Sequence, residues 1–273
     1  MTQTKTIVIT GASAGIGAAI AHRLANDGHR LVLTARRDNA LREVAAEADR
    51  RGASGTLVVP SDVTKRDDVY AVRDAALSTY GSFDVWINNA GRGITKSVLD
   101  LTADELDEMM TVNVKSALYG MQAAASHFLD RGAGHLINIS SFLGRVPLAT
   151  HRSGYNAAKA ALNALTANMR VELHARNPEI YTTLVMPGLV ATEFARNVLG
   201  GSRDVAIPSG LSVQTAEQVA DVIADVIAEP QAEVFTNPDS ARMAVEYLAD
   251  VGAFEARAVH PWRSAPARVE TQR

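Results

Sequence analysis

The sequence has no cysteine among its 273 residues. That absence excludes a disulfide framework, a thiolate zinc site and a catalytic thiol. Histidine is also sparse, with seven residues, and no two of them stand four apart as in a helical metal site. We therefore expect no bound metal.

Long apolar runs and a strong charge imbalance are missing as well. No uninterrupted apolar run could span a bilayer, and no basic-then-apolar segment marks a secretory signal. The 27 basic and 30 acidic residues give a net charge of −3, which offers no general attraction for nucleic acid. We expect a cytoplasmic protein without membrane or nucleic-acid partners, and small-molecule chemistry is the leading class of function.

What the sequence does have, near its start, is the glycine-rich stretch Thr10-Gly11-Ala12-Ser13-Ala14-Gly15-Ile16-Gly17. The apolar run at 6–9 predicts a buried strand before it, and Ile16, Ile20 and Leu24 predict one face of a helix after it. Such a junction gathers backbone N–H groups at the positive end of a helix, where a pyrophosphate can bind. The alternative is a turn that needs glycine only for its backbone conformation.

Predicted strands and helices alternate along the chain. The strands are 6–9, 31–34, 55–59, 83–87, 135–139, 181–186 and 233–236, and the later helices are 41–50, 65–79, 103–130, 153–176, 216–228 and 239–249. This alternation predicts an α/β fold with a single doubly wound, mostly parallel sheet, the Rossmann fold, with helices on both faces.

We expect one domain over residues 1–255. It includes a loop at about 189–213 that is long enough to act as a mobile lid over a substrate. Residues 256–273 are expected to form a poorly ordered tail unless a partner subunit holds it.

Residues with unusual chemistry follow directly after predicted strands. They are Gly11, Asp62, the segment 88–91, the pair 140–141 and the pair 187–188. Because ligands of open parallel sheets bind at the carboxyl ends of the strands, we expect all five to line one edge of the sheet.

Tyr155 and Lys159 stand four residues apart on a predicted helix, so their side chains share one face. A phenol with its ordinary pKa of ~10 exchanges protons poorly at neutral pH, and a nearby ammonium favours the phenolate. A serine of the preceding strand end could hold a carbonyl oxygen while Tyr155 protonates it. The alternative is a packing tyrosine beside a solvated lysine.

These motifs resemble the short-chain dehydrogenase/reductase family over roughly residues 5 to 192. The segments that carry the resemblance are Thr10 to Gly17, Asn88 to Gly91, Asn113, Ile139 to Ser141, Tyr155 to Lys159, and Pro187-Gly188. The match is specific because these spaced segments occur in the same order.

The resemblance implies a role for each matching residue. Tyr155 would be the catalytic acid and base, and Lys159 would lower its pKa and bind the nicotinamide ribose. Ser141 would orient the carbonyl, with Ser140 the weaker candidate. Asn113 would anchor a water molecule in a proton relay.

The resemblance also implies a dinucleotide site. Asp62 would contact adenine, the segment 89–91 would line the adenosine side, and Val190 with Thr192 would hold the nicotinamide carboxamide. The complete predicted cofactor set is Gly11, Ser13, Gly15, Ile16, Gly17, Arg36, Arg37, Asp62, Val63, Asn89, Ala90, Gly91, Tyr155, Lys159, Pro187, Gly188, Val190 and Thr192.

The end of the second strand indicates which dinucleotide is bound. Enzymes that prefer NAD place a carboxylate about 20 residues after the glycine loop, where this chain has Arg36 and Arg37. A guanidinium pairs with phosphate, so we predict NADP(H) with both arginines flanking the 2′-phosphate. The alternative is a solvated helix start, since Ala14 in the loop is not basic.

One segment departs from the family pattern. The stretch between Ser141 and Tyr155 is about one residue longer than the commonest family spacing, with Thr150-His151-Arg152 in the extra turn. His151 or Arg152 could reach a substrate, and a solvated loop is the favoured interpretation.

The leading function is an NADP(H)-dependent carbonyl reductase or secondary-alcohol dehydrogenase acting on a small molecule. The alternatives are a non-catalytic dinucleotide sensor, an NAD-dependent alcohol dehydrogenase, a sugar-nucleotide epimerase and a methyltransferase. The family resemblance also implies a homodimer or homotetramer with the helices 103–130 and 153–176 at an interface.

Overall fold

The computed structural model describes residues 3–192, 199 and 212–263, the last six by their backbone alone. Its strands are β1 Thr6–Thr10, β2 Arg30–Ala35, β3 Gly55–Pro60, β4 Val85–Asn88, β5 Gly134–Ile139, β6 Ile180–Met186 and β7 Glu233–Phe235. They form one sheet in the order β3-β2-β1-β4-β5-β6-β7, and every neighbouring pair is parallel. The predicted fold class is confirmed.

Helices cover both faces of the sheet. They are α1 Gly15–Asn26, α2 Asp38–Arg50, α3 Arg66–Tyr80, α4 Ala103–Met110, α5 Ser116–Arg131, α6 Ser153–Arg176, α7 Ala216–Ala228, α8 Pro238–Ala249 and α9 Val251–Arg263. In β1, Ile7 and Ile9 join the apolar cluster under α1, α2 and α7, while Val8 joins the cluster under α3, α5 and α6. Because successive side chains of a strand point to opposite faces, a continuous apolar run supplies both layers.

The strand order reverses beside β1, which lies between β2 and β4. At such a reversal the connections run to opposite sides of the sheet and leave a crevice at the carboxyl ends of the strands. The glycine-rich stretch follows β1 and the segment 88–91 follows β4, so both reach this crevice.

The predicted helix over 103–130 is interrupted. Its start is as predicted, since Thr102 and Glu105 form a reciprocal capping box. The segment Thr111–Lys115 is then a π-helix between α4 and α5. An inserted residue of this kind is common at functional sites, and helical periodicity alone did not predict it.

The C-terminal region is described in part. Helix α9 extends to Arg263 and so reaches into the tail for which we expected little order. Most of the predicted loop, residues 193–198 and 200–211, and the end of the tail, 264–273, lie outside the described residues. The single-domain assignment and the oligomer stay predictions. Within the described ranges, no helix combines the length and the apolar character needed to cross a membrane.

Candidate active site

The described residues line a cleft of about 760 Å³ at the carboxyl ends of the strands. A volume of this size accommodates a small-molecule ligand. The predicted site residues that line the cleft are Gly11, Gly15, Ile16, Arg36, Arg37, Asp62, Val63, Asn89, Ala90, Gly91, Ser141, Tyr155, Lys159, Pro187, Gly188, Val190 and Thr192. All five strand-end motifs therefore lie at one edge of the sheet, as the sequence predicts.

The glycine-rich loop fits a bound phosphate group. Gly11 and Gly15 have φ values of 66° and 54°, which side chains other than glycine rarely adopt. Helix α1 begins at Gly15 with neither a side-chain cap at Ala14 nor an acidic residue in its first turn. Its first N–H groups thus face the cleft with the positive dipole end and no competing carboxylate, which suits the pyrophosphate of a dinucleotide.

Gly17 does not line the cleft but allows the loop to pack. A Cβ atom at this position would collide with the carbonyl oxygen of Gly11 and lie 2.6 Å from Nδ2 of Asn89. The Asn89 side chain donates from Nδ2 to the carbonyl oxygen of Thr10 at 2.9 Å, and its backbone N–H donates to Oγ1 of Thr10 at 2.9 Å. These bonds join the loops after β1 and β4 into one wall.

The other end of the cleft is basic. Nη2 of Arg37 lies 3.4 Å from the carbonyl oxygen and 3.3 Å from Oγ of Ser13. Ser13, a predicted cofactor-binding residue, thus contacts Arg37 but does not itself line the cleft. Although partial burial opposes its ionisation, two hydrogen bonds from Thr64 and the charge of Arg36 hold the pKa of Asp62 below its usual range. Arg36 is therefore close enough to Asp62 to lower the pKa of its carboxyl group.

The acid–base cluster is buried in the centre of the cleft. Tyr155, Lys159 and Ser141 expose 8%, 3% and 7% of their surface, and the Ser141 hydroxyl is hydrogen-bonded to Tyr155. Nζ of Lys159 donates to the carbonyl oxygen of Ile139 at 2.9 Å and lies 5.7 Å from the centre of the Tyr155 ring. Ser140 instead donates to Asn163 and to the carbonyl oxygen of Lys159, so it anchors α6.

The Tyr155 pKa lies above its ordinary value in this structure, and the predicted lowering by Lys159 stays a prediction. Burial raises the pKa of Tyr155 to about 12, while the hydrogen bond with Ser141 and the charge of Arg152 act in the opposite direction. Burial also lowers the pKa of Lys159 to about 8. Desolvation is the largest cause of both shifts, because each charged form loses its hydration in the closed cluster.

Buried amides fix helix α6 against the sheet. At the end of β4, Nδ2 of Asn88 donates to Oδ1 of Asn138 at 2.9 Å, and Nδ2 of Asn138 donates to Oγ1 of Thr166 on α6 at 2.9 Å. Because buried hydrogen-bonded networks hold one arrangement, they set the position of Tyr155 relative to the glycine loop.

Asn113 lies behind the wall of the cleft rather than in it. Its Nδ2 donates to the carbonyl oxygens of Arg92 and Met109 at 2.9 and 3.1 Å, and its Oδ1 accepts from the backbone N–H of Arg92 at 3.2 Å. A Cβ atom on Gly91 would lie 2.8 Å from this Oδ1 and 3.6 Å from Nζ of Lys159. Asn113 thus supports the wall next to Lys159, and its role in a proton relay stays a prediction.

Further lining residues lie outside the predicted catalytic and cofactor sets, although Ser140 was the weaker candidate for orienting the carbonyl and Arg152 a possible substrate contact. They are Ala14, Ala35, Ser61, Thr64, Arg92, Glu108, Val112, Ile139, Ser140, Leu143, Arg152 and Leu189. Glu108 and Val112 stand four apart, a helical spacing that places them on one face and could have indicated them. For Arg152, the favoured interpretation of a solvated loop is wrong, because its side chain lines the cleft.

The burial of Lys159 predicts a pH-dependent stability. Between its native pKa of about 8 and its ordinary value of ~10.4, the unfolded chain holds a proton that the folded protein lacks, so stability rises with pH. We expect the free energy of unfolding of the wild type, minus that of Lys159→Met, to increase by about 2 kcal/mol from pH 7.5 to 10.

Denaturant titrations across this pH range measure the difference. The variant Lys115→Met removes an exposed lysine and serves as the control, for which the same difference should stay flat. If the difference in unfolding free energy between the wild type and Lys159→Met did not change with pH, burial of the Lys159 ammonium would not carry the proposed penalty.

The chain is similar in sequence to known oxidoreductases. Residues 5–201 match the short chain dehydrogenase family. The uncharacterized oxidoreductase YxnA of Bacillus subtilis is 36% identical over 189 residues, which are 69% of this chain and 52% of YxnA, so the match spans about half the length of that relative.

Two solved structures share the fold over most of the chain. A short chain dehydrogenase/reductase of Burkholderia phymatum in complex with NAD has a TM-score of 0.82 and 27% identity over 92% of this chain and 95% of its own. A short-chain dehydrogenase of Sphingobium yanoikuyae in complex with NADPH has a TM-score of 0.76 and 28% identity over 98% of each chain. Together with the matched sequence, they show that this chain belongs to the short chain dehydrogenase family of oxidoreductases.

Proposed function

We propose that this protein is an NADP(H)-dependent carbonyl reductase or secondary-alcohol dehydrogenase. One observation carries the proposal: a buried phenol, hydrogen-bonded to Ser141 and next to Lys159, lies in the same cleft as a loop suited to a pyrophosphate. A proton donor and a dinucleotide site in one enclosed space are what reduction of a carbonyl group requires.

The acid–base step follows from the protonation state of Tyr155. With a pKa of about 12, the phenol is protonated at neutral pH, so it can donate its proton to a carbonyl oxygen as that oxygen gains negative charge. The Ser141 hydroxyl, already hydrogen-bonded to the phenol, would hold the same oxygen in line. The nicotinamide, when bound, supplies the hydride to the carbonyl carbon.

Lys159 lies one turn after Tyr155 on α6 and would assist this step. Its ammonium would bind the ribose hydroxyls of the nucleotide and stabilise the phenolate left after proton transfer. A phenol that starts out protonated favours the direction of reduction, because oxidation of an alcohol needs the phenolate first.

The preference for NADP(H) over NAD(H) is also part of the proposal. Arg36 and Arg37 line the end of the cleft beyond the glycine loop, and Arg37 reaches Ser13. A 2′-phosphate placed between two guanidinium groups and a hydroxyl would gain charge-assisted hydrogen bonds. The solved relatives include complexes with NADPH and with NAD, so the arginines of this chain carry the argument.

A carbonyl panel tests the proposal. Purified protein is mixed with NADPH or NADH and with aliphatic and aromatic ketones, aldehydes and oxo acids, and loss of the reduced nicotinamide absorbance is recorded. We expect reduction with NADPH and a lower kcat/KM with NADH. Binding of NADPH without reduction of any substrate would instead favour the dinucleotide sensor.

A further inference from the structure

We propose that Arg152 binds a carboxylate of the substrate, so that the preferred substrates are oxo acids and their hydroxy-acid products. This inference rests on the proposed carbonyl reduction and specifies its substrate class. The observation behind it is a partly buried guanidinium that lines the cleft beside Tyr155 and Ser141.

The backbone of Arg152 is fixed at the start of α6, three residues before Tyr155. Its N–H donates to the carbonyl oxygen of Ala149 at 2.8 Å, and its own carbonyl oxygen accepts from the N–H of Asn156 at 2.9 Å. A parallel bridge to Lys96 adds a second anchor. The backbone that carries the guanidinium is therefore held in place at the wall of the cleft.

This position is unfavourable for a cation in the absence of a compensating anion. Arg152 is the N-cap residue of α6, and its side chain makes no capping hydrogen bond. The N-terminal end of a helix carries a partial positive charge, which repels a guanidinium and favours an anion there. A carboxylate bound between the two would be attracted by both.

One nitrogen of the guanidinium is unsatisfied. Its Nη1 is buried without a hydrogen-bond partner, and among the described residues no carboxylate forms an ion pair with it. Burial lowers the pKa of Arg152, although the charge of the Tyr155 phenolate would oppose that effect. Because a buried cation without a counter-ion is costly, an anionic ligand bound here would offset that cost.

A neighbouring arginine shows the contrast. Arg92 also lines the cleft, but its Nη1 lies 2.6 Å from Oε1 of Glu108, so its charge is already compensated within the protein. Arg36 and Arg37 lie with Asp62 at the other end. On the side of Tyr155 and Ser141, Arg152 is therefore the guanidinium suited to a ligand anion, and a carboxylate matches its planar fork.

Matched pairs of substrates test the inference. Acetoacetate, levulinate and benzoylformate are each compared with their methyl esters in reduction with NADPH. We expect the wild type to prefer at least one acid over its ester by about tenfold or more in kcat/KM. Arg152→Met should lower kcat/KM for that acid by about 100-fold and for the ester by less than about threefold, since the ester lacks the charge.

Two further variants sharpen the comparison. Arg152→Lys keeps a charge but not the planar fork, so it should recover part of the lost acid reduction. Arg145→Met removes another arginine of the segment between Ser141 and Tyr155, one that pairs with Glu233 at 2.7 Å outside the cleft, and should leave the acid preference unchanged. Equal losses for acids and esters in Arg152→Met would overturn the inference and indicate that Arg152 acts on Tyr155 instead.

A binding measurement separates this inference from the proposed function. The thermal unfolding of the NADPH complex is followed with each acid and each ester. Stabilisation of the wild type by an acid alone, lost in Arg152→Met, supports the carboxylate site even if nothing is reduced. Reduction of ketones without any acid preference or acid-specific stabilisation would reject the carboxylate site and leave the reductase in place.

Discussion

Replacing Tyr155 by phenylalanine should lower kcat for carbonyl reduction by about a thousandfold, the loss expected when a positioned general acid is removed. Phenylalanine keeps the ring and its packing but has no hydroxyl to protonate the developing alkoxide. The affinity for NADPH should change by less than about threefold, because the loop and the arginines that would hold the nucleotide are untouched. Single-turnover kinetics and nicotinamide fluorescence measure the two quantities.

The matched control for this variant is Tyr181→Phe. Tyr181 is 42% exposed on β6 and does not line the cleft, so its loss should leave kcat unchanged. If Tyr155→Phe reduced carbonyls at the wild-type rate, Tyr155 would not be the acid, and the proposed mechanism would fail even with the family assignment intact.

The second large effect concerns the nucleotide. The double variant Arg36→Asp with Arg37→Ala should shift the ratio of kcat/KM for NADPH over NADH by about 100-fold to 1000-fold toward NADH. The new carboxylate would repel a 2′-phosphate and could accept hydrogen bonds from the ribose hydroxyls of NADH. Steady-state kinetics with both nucleotides and one carbonyl substrate give the ratio.

Arg42→Ala is the control for the double variant. Arg42 belongs to the same helix α2 but is exposed and paired with Asp38 at 3.0 Å, away from the cleft. Its removal should not change the cofactor ratio. A wild type that already prefers NADH would show that Arg36 and Arg37 do not recognise a 2′-phosphate.

The expected direction of catalysis depends on desolvation more than on the pair of Tyr155 and Lys159. A helical turn between the two residues brings the ammonium to 5.7 Å from the ring centre, yet burial still raises the phenol pKa to about 12. An attraction across this distance is smaller than the loss of hydration by a buried phenolate. The cluster therefore starts as a proton donor, which suits reduction.

The parts of the site that the sequence predicted are local or follow from topology. The glycine loop, the capping box at Thr102 and the pair on α6 depend on residues a few positions apart. The alternation of strands and helices predicted a parallel sheet, and a parallel sheet brings its strand ends to one edge. For this reason distant motifs could be assigned to one cleft before their positions were known.

The parts that the sequence did not predict depend on contacts between distant segments. The π-helix at Thr111–Lys115 places Asn113 against Arg92, a contact across 21 positions that periodicity does not encode. Glu108 lines the cleft, where it forms an ion pair with Arg92. Such partners become visible only when separate loops pack together.

The sequence by itself predicted the fold and the family and indicated the proposed acid–base pair, because repeating patterns and short spacings act along one element at a time. The tertiary structure decided the protonation of Tyr155 and Lys159 and, within the described residues, left Arg152 without an ion pair. Those properties depend on how much water and how many counter-charges remain around each group, and several elements together set both.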